Sequence, residues 1–191
     1  DNNNEEMDIL IENIIDSMSL EEKAAQIFFI KNDGRLDASI LDEYPVGGII
    51  LFASDFKGET PDSLREKIAS FQNNSELPLL IGVDEEGGQV IRVSNYSALA
   101  DYAFKSPKEL YNQGGYDAIC EDARFKSQLL LSYGINVNFA PVCDVSDNPT
   151  DYIYERSFGG SAEETAEYVS VVVAAMEDEG IGNVLKHFPG Y

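Results

Sequence analysis

The apolar run Gly182-Asn183-Val184-Leu185 ends in Lys186 and His187, the chain's only histidine, and Pro189-Gly190 turns the backbone just after. A lysine adjoining a buried strand must find a carboxylate or a ligand, because burying it unpaired is expensive. Further polar groups follow other apolar runs. Leu79-Leu80-Ile81-Gly82-Val83 leads into Asp84-Glu85-Glu86-Gly87-Gly88, with Arg92 beyond it. Ile135 to Phe139 leads into Ala140-Pro141-Val142-Cys143-Asp144-Val145, and Arg156 lies further along the same loop. These clusters, with Asp84, Arg92, Arg156, Lys186 and His187 among their polar groups, are where functional side chains could gather; Arg92 and Arg156 could equally be surface charges. Plain readings stand beside this one: a solvated acidic turn at Asp84-Glu85-Glu86, an Arg156–Glu155 pair, and a purely structural Lys186–Asp84 pair. Gly87-Gly88 lets the backbone turn sharply after the acidic run.

Such groups need elements that present them together. Met7, Leu10, Ile11, Ile14, Ile15 and Met18 recur at helical spacing and predict a first amphipathic helix. Ser19-Leu20-Glu21-Glu22 is a capping box that opens a second helix, expected to run through Phe28. A short helix is expected over Asp37 to Glu43. Val46 to Phe52 reads as a buried strand, and Thr60-Pro61 opens a helix with Leu64, Ile68 and Phe71 inward. A second strand covers Leu79 to Val83. A helix near Tyr116 to Tyr133 ends at Gly134, before a third strand from Ile135 to Phe139. Ser161-Ala162-Glu163-Glu164 caps another helix, with Val169, Val172, Val173 and Met176 inward and Gly180 at its end. Asn183 to His187 is expected as the fourth strand.

Strands alternating with long helices imply βαβ units and a parallel sheet. The first strand leads to Ala53-Ser54-Asp55-Phe56, which has no glycine fingerprint for a nucleotide. A (β/α)8 barrel is therefore preferred to an open doubly wound sheet. A barrel of this type takes about 250 residues. Residues 1–191 are thus expected to be the N-terminal portion of one barrel domain, truncated to roughly its first half.

The chain has 191 residues, a hydrophobic fraction of 43% and a net charge of −22. So acidic a surface repels phosphate backbones and anionic lipid, which argues against a nucleic-acid partner. No segment is long and apolar enough for a membrane span. The opening Asp1-Asn2-Asn3-Asn4 suits a tether and favours an extracellular or cell-surface setting over a cytoplasmic one. Cys120 and Cys143 are expected as buried free thiols. One histidine and two separated cysteines make no zinc site, and no cofactor is implied.

Taken in order, these segments resemble the N-terminal barrel of glycoside hydrolase family three, and within it the β-N-acetylhexosaminidase branch. The resemblance runs from Ser19-Leu20-Glu21-Glu22-Lys23 through Gly47-Gly48-Ile49-Ile50-Leu51-Phe52, Asp84 to Arg92, Asn138 to Val145 and Arg156-Ser157-Phe158-Gly159 to Lys186-His187-Phe188-Pro189-Gly190. It implies a retaining glycosidase acting on terminal β-linked N-acetylglucosamine. Asp84 would accept hydrogen bonds from sugar hydroxyls, Lys186 and His187 would grip their neighbours, and Arg92 and Arg156 would line the same subsite. Charged groups make the stronger hydrogen bonds to hydroxyls.

The resemblance also implies an aspartate nucleophile and a histidine–aspartate acid/base pair. Both lie after the Lys-His-Phe-Pro-Gly segment, so no catalytic residue is expected within this chain. Tyr191 stands where many relatives have histidine. Two other functions remain open at this point. One is a glycan-binding half barrel without catalysis. The other is a barrel enzyme using Lys186 as a Schiff base. A half barrel also leaves open sheet edges, so self-association or pairing with a C-terminal half is expected.

Overall fold

The computed structural model describes residues 2–191, beginning with helix α1 (Asn2–Ser17). Helix α2 (Leu20–Gln26) follows, opened by the reciprocal Ser19–Glu22 capping box. Its end corrects the first expectation. The helix stops at Gln26, and Phe29–Asn32 forms strand β1. The run Phe28-Phe29-Ile30 belongs to a sheet edge. Lys31 and Asn32 hid the strand from a rule that seeks continuous apolar runs. Asn32 is buried, and its Oδ1 accepts hydrogen bonds from the Gly34 and Leu36 amides, which turns the chain out of the sheet.

Helix α3 (Ile40–Glu43) is shorter than expected, because Asp37 to Ser39 form the turn before it. Strand β2 (Gly48–Leu51) leads into a single helical turn, α4 (Ala53–Phe56), that sequence reading left out. Helix α5 (Pro61–Asn73) starts at the Thr60 cap and buries Leu64, Ile68 and Phe71, as its spacing requires. Strand β3 (Leu80–Val83) follows. Helix α6 (Pro107–Ser132) begins nine residues before Tyr116, and its backbone leaves helical dihedrals at Gly114 and Gly115. The missed first piece has its own signature: Ser106 and Glu109 form a capping box around Pro107.

Strand β4 is only Val137–Asn138, and helix α7 (Ala162–Glu179) ends at Gly180, whose φ of 79° is the left-handed cap. Strand β5 (Gly182–Asn183) is also shorter than expected. Beyond it the chain still tracks its neighbour: the Val184 amide donates to Ala140 O at 3.1 Å and the Lys186 amide to Pro141 O at 3.2 Å. Val142 and Lys186 form a parallel bridge.

Among the described residues the sheet therefore has five strands, one more than expected, in the order β1-β2-β3-β4-β5, each parallel to the next. A doubly wound sheet reverses its strand order partway. This one never does, so it forms a continuous arc of the (β/α)8 type. Register stacks Ile49 against Ile81 and Leu51 against Val83 at the centre of the arc. All four are fully buried, together with Leu64 of α5, Ile119 and Leu130 of α6 and Met176 of α7. Each such side chain contributes about 1.5–3 kcal/mol by leaving water. Gly82 admits Phe139: a Cβ there would lie 2.2 Å from the Phe139 ring.

Among the described residues no helix is long and apolar enough to cross a membrane. Cys120 and Cys143 are free thiols, half-buried rather than buried.

Helix starts give a pH-linked prediction. The Ser106 hydroxyl and backbone amide bind the Glu109 carboxylate and hold it below its ordinary value of 4.5. A lowered carboxylate stabilises the fold above its unfolded value and stops doing so as pH falls through the folded one. The stability gap between wild type and Glu109→Ala, read from urea melts, is expected to be open at neutral pH and to close in acid. A gap that stays constant or widens toward acid contradicts the capping account.

Candidate sugar-binding rim

The side chains with possible chemistry lie where β3, β4 and β5 give way to their following loops. Asp84 follows β3 directly. Asp144 and Arg156 lie on the loop after β4, and Lys186 and His187 lie beyond β5. In a parallel sheet this is the end at which side chains from different strands can meet.

The loop after β3 is built from three consecutive acids with alternating jobs. Glu85 is fully buried and turns back into its own loop. Its carboxylate accepts the amides of Arg92 at 2.8 Å, Val93 at 2.7 Å and Ser94 at 3.2 Å, together with the Ser94 hydroxyl. Asn138 of β4 pins the Glu85 peptide from both sides, accepting its amide and donating to its carbonyl, each at 3.0 Å. Asp84 and Glu86 meet cations from other loops. Gly87, at φ 101°, makes the turn that leaves Glu86 inside; a Cβ there would stand 2.2 Å from Lys105 O.

Glu86 is the centre of the rim. Its Oε1 lies 2.7 Å from Arg156 Nη2 and 2.5 Å from Lys186 Nζ, and its Oε2 accepts Arg156 Nε at 3.0 Å. Lys186 Nζ also donates to Asp84 Oδ1 at 2.7 Å. The Glu86 carboxylate raises Arg156 above the ordinary guanidinium range. The plain partner for Arg156, Glu155, is exposed and takes no part. Arg92 is more loosely held: its Nη2 lies 3.9 Å from Asp84 Oδ2, and its buried Nε has no protein partner.

His187 is set by Asp144, whose side chain is 4% exposed. Asp144 Oδ2 accepts the His187 amide at 3.0 Å and lies 2.6 Å from Nδ1, while its Oδ1 accepts the Tyr191 amide at 2.8 Å. With Nδ1–H directed at the carboxylate, Nε2 is left as the acceptor facing Arg156 Nη2 at 3.4 Å. Burial pushes the neighbouring Cys143 thiol up, which keeps it protonated and a poor nucleophile.

Asp84, Arg92, Arg156, Lys186 and His187 thus occupy one rim, and the structural Lys186–Asp84 pair is present within it. Sequence reading missed Glu86 and Asp144, the two carboxylates that hold the cations. A usable signal existed for Glu86. Positions 84 and 86 share one side of an extended segment and 85 takes the other. Asp144 had no comparable signal, since its partners lie 43 and 47 residues away.

The arrangement is a lattice of charge-assisted donors and acceptors at the mouth of a TIM-barrel-type α/β sheet, a surface suited to a polyhydroxylated ligand. Comparison with known proteins gives it a family. The model described as the glycosyl hydrolase family 3 N terminal domain matches residues 19–191. Beta-hexosaminidase LpqI of Mycobacterium tuberculosis is 32% identical over 176 residues, which is 91% of this chain and 44% of that protein. Beta-hexosaminidase A of Pseudoalteromonas piscicida is 34% identical over 158 residues, 81% of this chain and 26% of that protein. Among solved structures, a glycoside hydrolase family 3 beta-N-acetylglucosaminidase from a Paenibacillus species superposes with a TM-score of 0.81 at 30% identity, covering 91% of this chain and 34% of that one. The chain belongs to glycosyl hydrolase family 3. It spans less than half the length of these relatives.

Removing Glu86 leaves Arg156 without its carboxylate, beside a Lys186 that keeps only Asp84. Breaking a buried pair in this way costs about 3–5 kcal/mol. Glu86→Ala is expected to lose stability on that scale in denaturant melts. Asp62→Ala, which breaks an exposed pair with Arg65, is expected to lose at most about 1 kcal/mol. Equal losses would contradict the placement of Glu86 at the centre.

Proposed function

We propose that residues 1–191 are the N-terminal portion of a single barrel domain in a retaining β-N-acetylhexosaminidase. Its substrates are terminal β-linked N-acetylglucosamine units on glycans or cell-wall fragments. The convergence of Asp84, Arg156, Lys186 and His187 on one rim, in a chain of this family, carries the reading. The names of the relatives support the sugar assignment. Vicinal hydroxyls of a sugar ring match alternating carboxylates and cations, each of which forms a charge-assisted hydrogen bond. Asp84 accepts from hydroxyls, Lys186 and the Arg156 and Arg92 guanidiniums donate, and His187 offers Nε2.

A retaining glycosidase needs a carboxylate free to attack the anomeric carbon. Every carboxylate described at this rim is already engaged: Glu85 by backbone amides, Asp84 and Glu86 by cations, Asp144 by His187 and the Tyr191 amide. This supports a binding role for these residues, with nucleophile and acid/base supplied from elsewhere in the whole protein. It equally favours the second reading, a glycan-binding half barrel. A Schiff-base lysine is activated in an apolar or cationic setting, whereas Lys186 lies between two carboxylates.

Strands β1 and β5 each pair on one side only among the described residues. Helix α1 exposes Met7, Leu10, Ile11 and Ile15. Both features support pairing with the remainder of a barrel, or self-association when the chain stands alone.

The purified 191-residue chain is expected to bind N-acetylglucosamine without cleaving a chromogenic N-acetylglucosaminide. Lys186→Ala, folded by circular dichroism, is expected to weaken that binding at least about tenfold. Turnover by the chain that disappears in Asp84→Ala would overturn the assignment of these residues to binding. Sugar affinity indifferent to Lys186→Ala would overturn the site.

A further inference from the structure

Behind the rim, on the helix side of the sheet, lies a second charged group that the sugar contacts do not use. Lys126 of α6 is buried at 8% exposure. Its Nζ pairs with Asp122 one helical turn earlier at 3.0 Å, faces the Phe104 ring at 5.2 Å, and donates to the backbone carbonyl of Glu86 at 3.1 Å. Glu86, Asp122, Lys126, Asn138 and Tyr168 line one small cavity of about 20 Å³. That is room for about one water and for nothing larger.

We infer that Lys126 is a positioning residue for the sugar site, acting through Glu86; this rests on the reading of the rim as that site. The segment Asp84–Gly87 is held by its own backbone, the Glu86 and Gly87 amides donating to Val90 O at 2.9 and 3.2 Å, and by two side chains from other elements. Asn138 fixes the Glu85 peptide from β4. Lys126 fixes the next carbonyl from α6. Together with the Val90 bonds they set the direction in which the Glu86 side chain leaves the backbone, and so the point at which Arg156 and Lys186 meet. Gly87, at φ 101°, gives the turn little steric resistance of its own. The Gly87 amide ties the Glu86–Gly87 peptide to Val90 O at 3.2 Å, and the Lys126 bond to the carbonyl of the same peptide restrains its other side. The cost of burying an ammonium is offset by Asp122, the carbonyl and the ring face. A leucine or methionine at this position would fill the space without that cost. The role of the charge is to aim a neighbour.

Lys126→Met alone strands Asp122 in the interior and threatens the fold. Asp122→Asn combined with Lys126→Met removes both charges, and such paired removal is often neutral for stability. Arg124→Ala, which breaks the α6–α7 pairs to Asp178 and Glu179, serves as a stability control on the same helix. Two readouts are taken on the folded proteins: N-acetylglucosamine affinity, and exchange protection of the Arg156 Nε–H by nitrogen-15 NMR. The double variant is expected to lose about tenfold in affinity and to lose Arg156 Nε–H protection, while Arg124→Ala keeps both. A folded double variant with wild-type protection overturns the inference, whatever its affinity. If wild type itself binds no N-acetylglucosamine, the sugar reading fails, and the Arg156 signal still decides whether Lys126 positions Glu86.

Discussion

One carboxylate ties three loops together. Glu86, whose side chain is 4% exposed, shares its oxygens between Arg156 from the loop after β4 and Lys186 from the segment after β5. Without it, two cations from different loops would repel each other in a largely buried place. With it, they stand side by side on one carboxylate. Asp144 does the same for His187 on a smaller scale. The rim is therefore a set of mutually fixed charges, preorganised before any ligand arrives. Such fixing reduces the ordering cost of binding.

The supports of this lattice are distributed by distance from the rim. Closest are Asp84, Arg156, Lys186 and His187. Next come Glu86 and Asp144, which hold them. Behind these stand Glu85, Asn138 and Lys126, whose bonds go to backbone amides and carbonyls of the same loop. Few of these groups sit in the apolar core, which is carried by Ile49, Leu51, Ile81 and Val83 and the helix faces over them. The fold holds the strands in register, and the polar shell then aims the side chains.

What could be read from the sequence follows the same division. Strands β2 and β3 were legible because their residues are all apolar or glycine, although Leu80 is exposed and Ile50 half-buried. The inner face of α5 was legible because Leu64, Ile68 and Phe71 repeat at helical spacing. Strand β1 was not, since it is an edge strand that carries Lys31 and Asn32. The first piece of α6 was overlooked although Ser106-Pro107-Lys108-Glu109 announces a helix start. At the rim, position after an apolar run marks Asp84, Lys186 and His187, whereas Arg92 and Arg156 lie further along their loops and are singled out by the family resemblance. Their holders were not legible. Glu86 meets Arg156 across 70 residues, and no local pattern encodes a pairing of that range. An acid in an acidic turn looks solvated until its partner is seen.

Membership of glycosyl hydrolase family 3 and the five-stranded arc agree with a sugar-handling rim, and the charge lattice explains how it would hold hydroxyls. The most direct measurement is a crystal structure of the chain grown with N-acetylglucosamine. The account requires ring hydroxyls within about 3 Å of Asp84, Arg156, Lys186 and His187, with Glu86 still bonded to both cations. Sugar density at another face, or a Glu86 carboxylate detached from Arg156 and Lys186, would contradict it.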